Sequence, residues 1–349
     1  MKRKEYSIMG DLIKYRMTDE TKTVYDKDGK EHILHRIEYT KEFLEDMRME
    51  PDTRGGFIEN EDNLSQDDYA LVLDNAIIYG NAKIAGAVEL KDEAKVCENA
   101  YVEGNVSICH NAFITDYVHI SSAEGEIFGS AIIHGNASIF DCKAIYGEAK
   151  IGGSAIIAGP VEITGHAEVF GNAVIMGSPV IKDNAKIGEH AVVNGDMEIS
   201  GSAWIHENAK LNGSGKYSGN IKISGEALIN ASKYSELADK AIISGNTMIN
   251  GHVDIKGEAY IHGYAKLIAD TRQQCSVWDL AEIAGYAIVR DSCITDKARI
   301  GGNAIINHCD ISGRTIISGY NSPIIANETL YDVSVVNGAH NDEKDNLDR

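Results

Sequence analysis

Proline is nearly missing from this 349-residue chain, with 4 residues against 34 glycines. Few prolines with many glycines suggests regular structure closed by many tight turns. Basic residues are also scarce. Lys plus Arg number 33 and Asp plus Glu 53, a formal net charge of -20 with a pI near 5.0. A nucleic-acid binder offers cationic surface to phosphates, so that class is not expected. An anionic membrane surface is disfavoured on the same ground. No run of about 18 apolar residues occurs, so no transmembrane helix is expected. The start, Met1 to Ile8, has basic residues but no apolar stretch, so it does not read as a signal peptide. The six cysteines, Cys97, Cys109, Cys142, Cys275, Cys293 and Cys309, form no CxxC pair. They read as reduced thiols of a cytoplasmic protein, with neither zinc nor disulfides expected.

What the chain has is a six-residue period. From Ala131 it runs AIIHGN, ASIFDC, KAIYGE, AKIGGS, AIIAGP, VEITGH, AEVFGN, and the phase holds to Ile229. Earlier hexads fill Ala70 to Ile120, and later ones Ala241–Leu267, Ala281–Val289 and Ala298 to about Ile317. Each hexad has an aliphatic residue at position i, turn-like residues at i+2 and i+3, and a small residue at i+4. One short strand per hexad explains this: i points inward, its neighbours point outward, and i+2 and i+3 make the corner. Gly and Asn suit such corners because they tolerate positive φ. Three hexads close a coil of 18 residues. Reading every eighteenth residue gives ladders such as Ile133, Ile151, Val169, Ile187, Ile205 and Ile223. The third ladder is broken by Tyr217, where Gly215 two places earlier leaves room. An amphipathic helix needs apolar spacings of 3 and 4, which this period excludes. The expected fold is an all-β parallel β-helix, a solenoid of about twelve coils.

The ends and interruptions organise the rest. Residues 1–69 read as a β-rich cap, with strands around the turn at Asp26–Gly29 and a short helix from Lys41. Residues 70–319 are the solenoid. Residues 320–349 lose the period and read as an irregular cap with a polar tail. Four insertions are expected, near Ser121–Glu126, Ala231–Lys240, Ile268–Leu280 and Asp291–Lys297. The third is the longest and carries Trp278. Loops on a regular scaffold are where function concentrates.

The hexads resemble the hexapeptide-repeat acyltransferase superfamily. The strings KYRMTDE at Lys14–Glu20 and GGFIENEDNLSQ at Gly55–Gln66 are similar to those of the YdcK-type, acetyltransferase-like family of bacteria and prophages. The resemblance covers essentially the whole chain and implies a left-handed coil. It also implies acyl transfer from a thioester such as acetyl-CoA, with no permanently bound cofactor. The acceptor would be a small hydroxyl or amine, deprotonated by a histidine. Prisms of this class commonly pair or trimerise, so a homo-oligomer is expected. Ile156, Val174 and Val192, one coil apart, supply an apolar patch for it.

Most of the coil histidines read as surface residues. His252 stands out because 18 residues on lies Asp270, at the root of the third insertion. His252 as base, Asp270 as its orienting carboxylate and Trp278 as a water-excluding aromatic would make a site. His262 is a second candidate base, and Arg272 a contact for CoA phosphates. No H-x4-H zinc pair and no phosphate-binding glycine loop is present. The competing reading is a non-catalytic solenoid that scaffolds or binds a protein partner, as a prophage accessory protein would.

Overall fold

The structure, a computed structural model, describes residues 12–49, 52–270 and 273–337. The chain divides into two compact units, residues 1–184 and 185–349. Both are parallel β-solenoids, with about fifteen turns between them. In the first unit Ile114 pairs with Ile133 and Ile133 with Ile151. In the second Ile205 pairs with Ile223, Ile223 with Ile243 and Ile243 with Ile261. Each is essentially fully buried. Sealing one such aliphatic side chain from water stabilises by about 1.5–3 kcal/mol. A ladder repeats that gain at every turn, which is why the short strands hold.

The corners show chemistry that a count of glycines misses. Position i+2 adopts a left-handed φ, and Asp, Glu or His often fills it: Asp74, Asp92, His110, Asp116, Glu189, Glu207 and Asp239. The carboxylate there accepts the backbone N–H of the corresponding residue one coil on. Asp92 N–H donates to Asp74, His110 to Asp92 and Gly225 to Glu207. A donor left without a ladder partner by the turn is thereby satisfied. Part of the acidic excess follows from this.

At the N-terminal end, β1 (Tyr15–Tyr25) and β2 (Glu31–Tyr39) form an antiparallel hairpin around the Asp26–Gly29 turn. The helix α1 (Lys41–Met47) follows, capped by the Thr40 hydroxyl, which accepts from Phe43 N–H. Then β3 (Arg54–Ile58) pairs antiparallel with β2 and parallel with the strand at Ile77–Ile78. Tyr15, Tyr39, Phe43 and Leu44 are buried there. The hairpin also folds over the outer face of the first coils. Leu34 packs with Phe57, Ile77, Tyr79 and Cys97, and Lys27 at its tip reaches Asp116 at 2.6 Å.

All changes of coil length between Val72 and Ile317 fall at one of the three corners. Ile120 and Ile127 are seven apart, Ile229 and Leu237 eight, Leu267 and Val277 ten, and Val289 and Ile294, like Ile306 and Ile311, five. At this corner of other coils the chain stays extended. Val192–Ile199 and Lys210–Tyr217 run round it as single strands paired over their full length. Gly213 makes that bend, with φ +95 and only 2.1 Å between an added Cβ and the Ala231 carbonyl oxygen.

Three expectations change accordingly. The first insertion is a one-residue bulge, and the fourth is a shortening by one residue. The chain re-enters the coil at Cys275, so Trp278 is an outward residue of a regular turn, not part of a loop. Beyond residue 319 the coil continues through Ile324–Ala326, Thr329–Tyr331 and Ser334–Asn337, each paired parallel with the strand before it. The polar tail at 341–349 lies outside the described residues.

Candidate active site

His252 and Asp270 occupy the register expected of them. Asn250 pairs with Ile268, and Ala269 N–H donates to the Asn250 carbonyl. His252 and Asp270 therefore follow one another on neighbouring coils at the irregular corner. The His252 ring is half-buried and lies 6.1 Å from that of Tyr234. Asp270 is exposed, and its N–H donates to Asp291 at 2.7 Å. Arg272 lies outside the described residues. Trp278 follows Val277 on another face of the coil and is 37% exposed. Trp278 is thus not a lid over the pair, and Tyr234 is the aromatic side chain nearest His252 among the described residues. Cys275, whose N–H donates to the His252 carbonyl, is no nucleophile: burial pushes its thiol up to about 12.

His262 is in a more organised setting. It follows Ile261 on the face formed by Tyr260–Ile261, Glu282–Ile283 and Arg299–Ile300, where Tyr260, Glu282 and Arg299 stand in register. His262 Nε2 lies 2.9 Å from Glu282 Oε1, and the ring stacks on Tyr260 at 4.1 Å and 16°. Arg299 Nε is 3.5 Å from the second Glu282 oxygen. The hydrogen bond from His262, and with it the positive charge of Arg299, hold the Glu282 carboxyl below its ordinary range. A carboxylate can only accept, so Nε2 carries the proton, and in the neutral imidazole Nδ1 is then the nitrogen with the lone pair.

The coils beyond His262 leave space. In its column follow Ala284 and Gly301, and a Cβ on Gly301 would meet only Ser318, at 3.7 Å. Glu282 and Arg299 border this shelf on one side. On the other, Tyr264 and Tyr286 stack at 4.8 Å and are well exposed. The arrangement is an oriented imidazole at the end of a shallow shelf with an aromatic rim. Trp204 and His206 stack the same way three turns earlier, but the nearest carboxylate, Glu207, is 3.9 Å off. Ring stacking is thus general packing on this face, and Glu282 is what distinguishes His262.

In the first unit, His119 Nε2 lies 3.5 Å from Glu103, which also accepts from the Tyr101 hydroxyl at 2.9 Å. Sequence reading missed both carboxylates. The partners sit 16 residues apart in a regular coil, diagonally across two columns. For His262 and Glu282 the four inserted residues after Ala269 stretch this to 20. The diagonal spacing of 16 was the available signal.

The chain matches no protein-family model and no curated protein. Among the described residues, no helix is long and apolar enough to cross a membrane.

Proposed function

We propose that the chain is an acyltransferase of the hexapeptide-repeat kind in which His262, oriented by Glu282, is the general base. His262 Nδ1 takes the proton of a small hydroxyl or amine as that group attacks the carbonyl of an acyl thioester such as acetyl-CoA. The thiolate leaves and receives the proton back from the imidazole. The observation that carries this reading is the 2.9 Å His262–Glu282 contact beside the Ala284–Gly301 shelf. A positioned base contributes about 10²–10⁴-fold. His262→Gln is therefore expected to lower kcat at least about 100-fold in a thiol-release assay over a panel of acceptors. His252→Ala, at a ring with no orienting carboxylate contact of that kind among the described residues, should retain most of the activity. Absence of turnover together with absence of any CoA-induced thermal shift overturns the enzyme reading.

A second reading, a non-catalytic scaffold or protein-binding solenoid, is favoured by one feature. In the first unit Ile156 is 40% exposed, pairs with Val174, and lies near Phe140, 37% exposed, along one outer face. Under either reading this apolar stripe supports a homo-oligomer, a dimer or trimer.

A further inference from the structure

We propose that Asp92, Cys109 and His110 bind a single divalent cation of the zinc class. The three contribute a carboxylate, a sulfur and an imidazole nitrogen, all within 4.8 Å of one another. Cys109 and His110 are successive residues at one corner, and Asp92 stands at the same corner one coil earlier.

Two features set the donors in place. His110 has a left-handed φ of 58, and its N–H donates to one Asp92 oxygen at 2.8 Å. That bond fixes the two residues and leaves the second Asp92 oxygen for a ligand. The Phe128 ring lies 6.1 Å from the imidazole, one coil on. Cys109 Sγ and His110 Nδ1 are already 3.4 Å apart. Tetrahedral zinc, with Zn–S about 2.3 Å and Zn–N about 2.0–2.1 Å, sets such donors about 3.5 Å apart. Closing the carboxylate onto the ion needs only a side-chain adjustment.

The surroundings favour a cation. Asp92, Glu126 and Glu89 all bring negative charge to bear on Cys109, against the charge of the nearby Lys91. Lys91, the cation on the same strand end, is drawn to Glu89 at 2.9 Å. Sulfur and imidazole select zinc-like ions over calcium or magnesium. Binding displaces the Cys109 thiol proton to solvent and forms the metal–sulfur bond, with no redox change. Three protein donors leave a fourth position for water. Sequence reading did not expect metal because it sought CxxC pairs and histidines at fixed spacing, whereas this set spans a coil.

Cobalt substitution reads the metal–thiolate bond directly. Metal-free, full-length chain titrated with Co²⁺ should develop a near-ultraviolet thiolate-to-cobalt band that saturates at one equivalent and disappears on adding Zn²⁺. Cys109→Ser should abolish the band. His110→Asn, which keeps a residue tolerant of left-handed backbone, should weaken binding at least about tenfold. Cys293→Ser should leave it intact. No band, or a band that survives Cys109→Ser, overturns the site. If Cys109→Ser does not fold, unchanged affinity in both Asp92→Asn and His110→Asn overturns it equally.

Discussion

Gly213 and Gly301 differ by position alone, and the coil treats them in opposite ways. An alanine Cβ at Gly213 would sit 2.1 Å from the Ala231 oxygen on a backbone at φ +95. Gly213→Ala should cost about 2–4 kcal/mol and lower the melting temperature of the second unit. At Gly301 the backbone is ordinary and the nearest atom is 3.7 Å away. Gly301→Ala should therefore change stability by less than about 0.5 kcal/mol. Because it narrows the proposed shelf, it should raise KM for the acceptor. Glu282 gives a test by pH. Its folded-state pKa is depressed, first through the His262 hydrogen bond. Its contribution to stability is then full above the ordinary carboxyl range and is lost as pH falls through the folded value. The gap in melting temperature between wild type and Glu282→Gln should thus be widest near neutrality and shrink in acid, read by scanning calorimetry. Equal gaps at both pH values would show that the contact does not hold in solution.

Among the elements, the strand of each hexad was legible because every repeat restates the same inward residue. The common place of the irregularities was harder to see. A sequence shows where the phase breaks, but assigning breaks to one corner requires following the three-fold count through insertions and two shortenings. The same slip put Trp278 in a loop, because Cys275–Val277 looks too polar in its middle to be a strand. Its Ser276 is held by pairing with Asp254 and Cys293 on neighbouring coils. The hairpin folding over the first coils had a signal in Phe57, Ile77, Tyr79 and Cys97. These are apolar residues at outward positions, and something had to cover them. The cap also holds a buried cation. Lys14 is fully buried, donates to the Ser65 carbonyl at 2.8 Å, and pairs with Asp68 at 3.0 Å. Asp68 is partly solvated and also accepts from Ala70 and Gly86 N–H groups. Removing the ammonium therefore leaves a carboxylate with some support, and Lys14→Ala should cost about 2–3 kcal/mol, at or below the low end for a broken buried pair. Hydrogen exchange should show the loss in β1, β2 and α1, with the second unit's amides unchanged.

For the whole molecule, charge and the apolar stripe act against each other. Each chain carries a formal charge of -20, so copies repel one another over roughly the Debye length, about 10 Å at 0.1 M salt. The proposed association would use the Ile156–Val174 stripe with Phe140, apolar side chains on an outer face. The two terms respond differently to salt. Screening weakens the repulsion while the apolar contact is little changed, so the proposed oligomer should tighten as ionic strength rises from about 0.02 to 0.3 M. Ile156→Glu places a new carboxylate at the centre of the stripe on an outward, solvent-facing position, so the fold should be unaffected. In sedimentation velocity the wild type should run as a multiple of 37.9 kDa, and the variant as the 37.9 kDa monomer at every salt concentration. An unchanged oligomer in Ile156→Glu would place the interface on another face. A monomeric wild type at high salt would leave the stripe to a different partner and favour the scaffold reading at this surface.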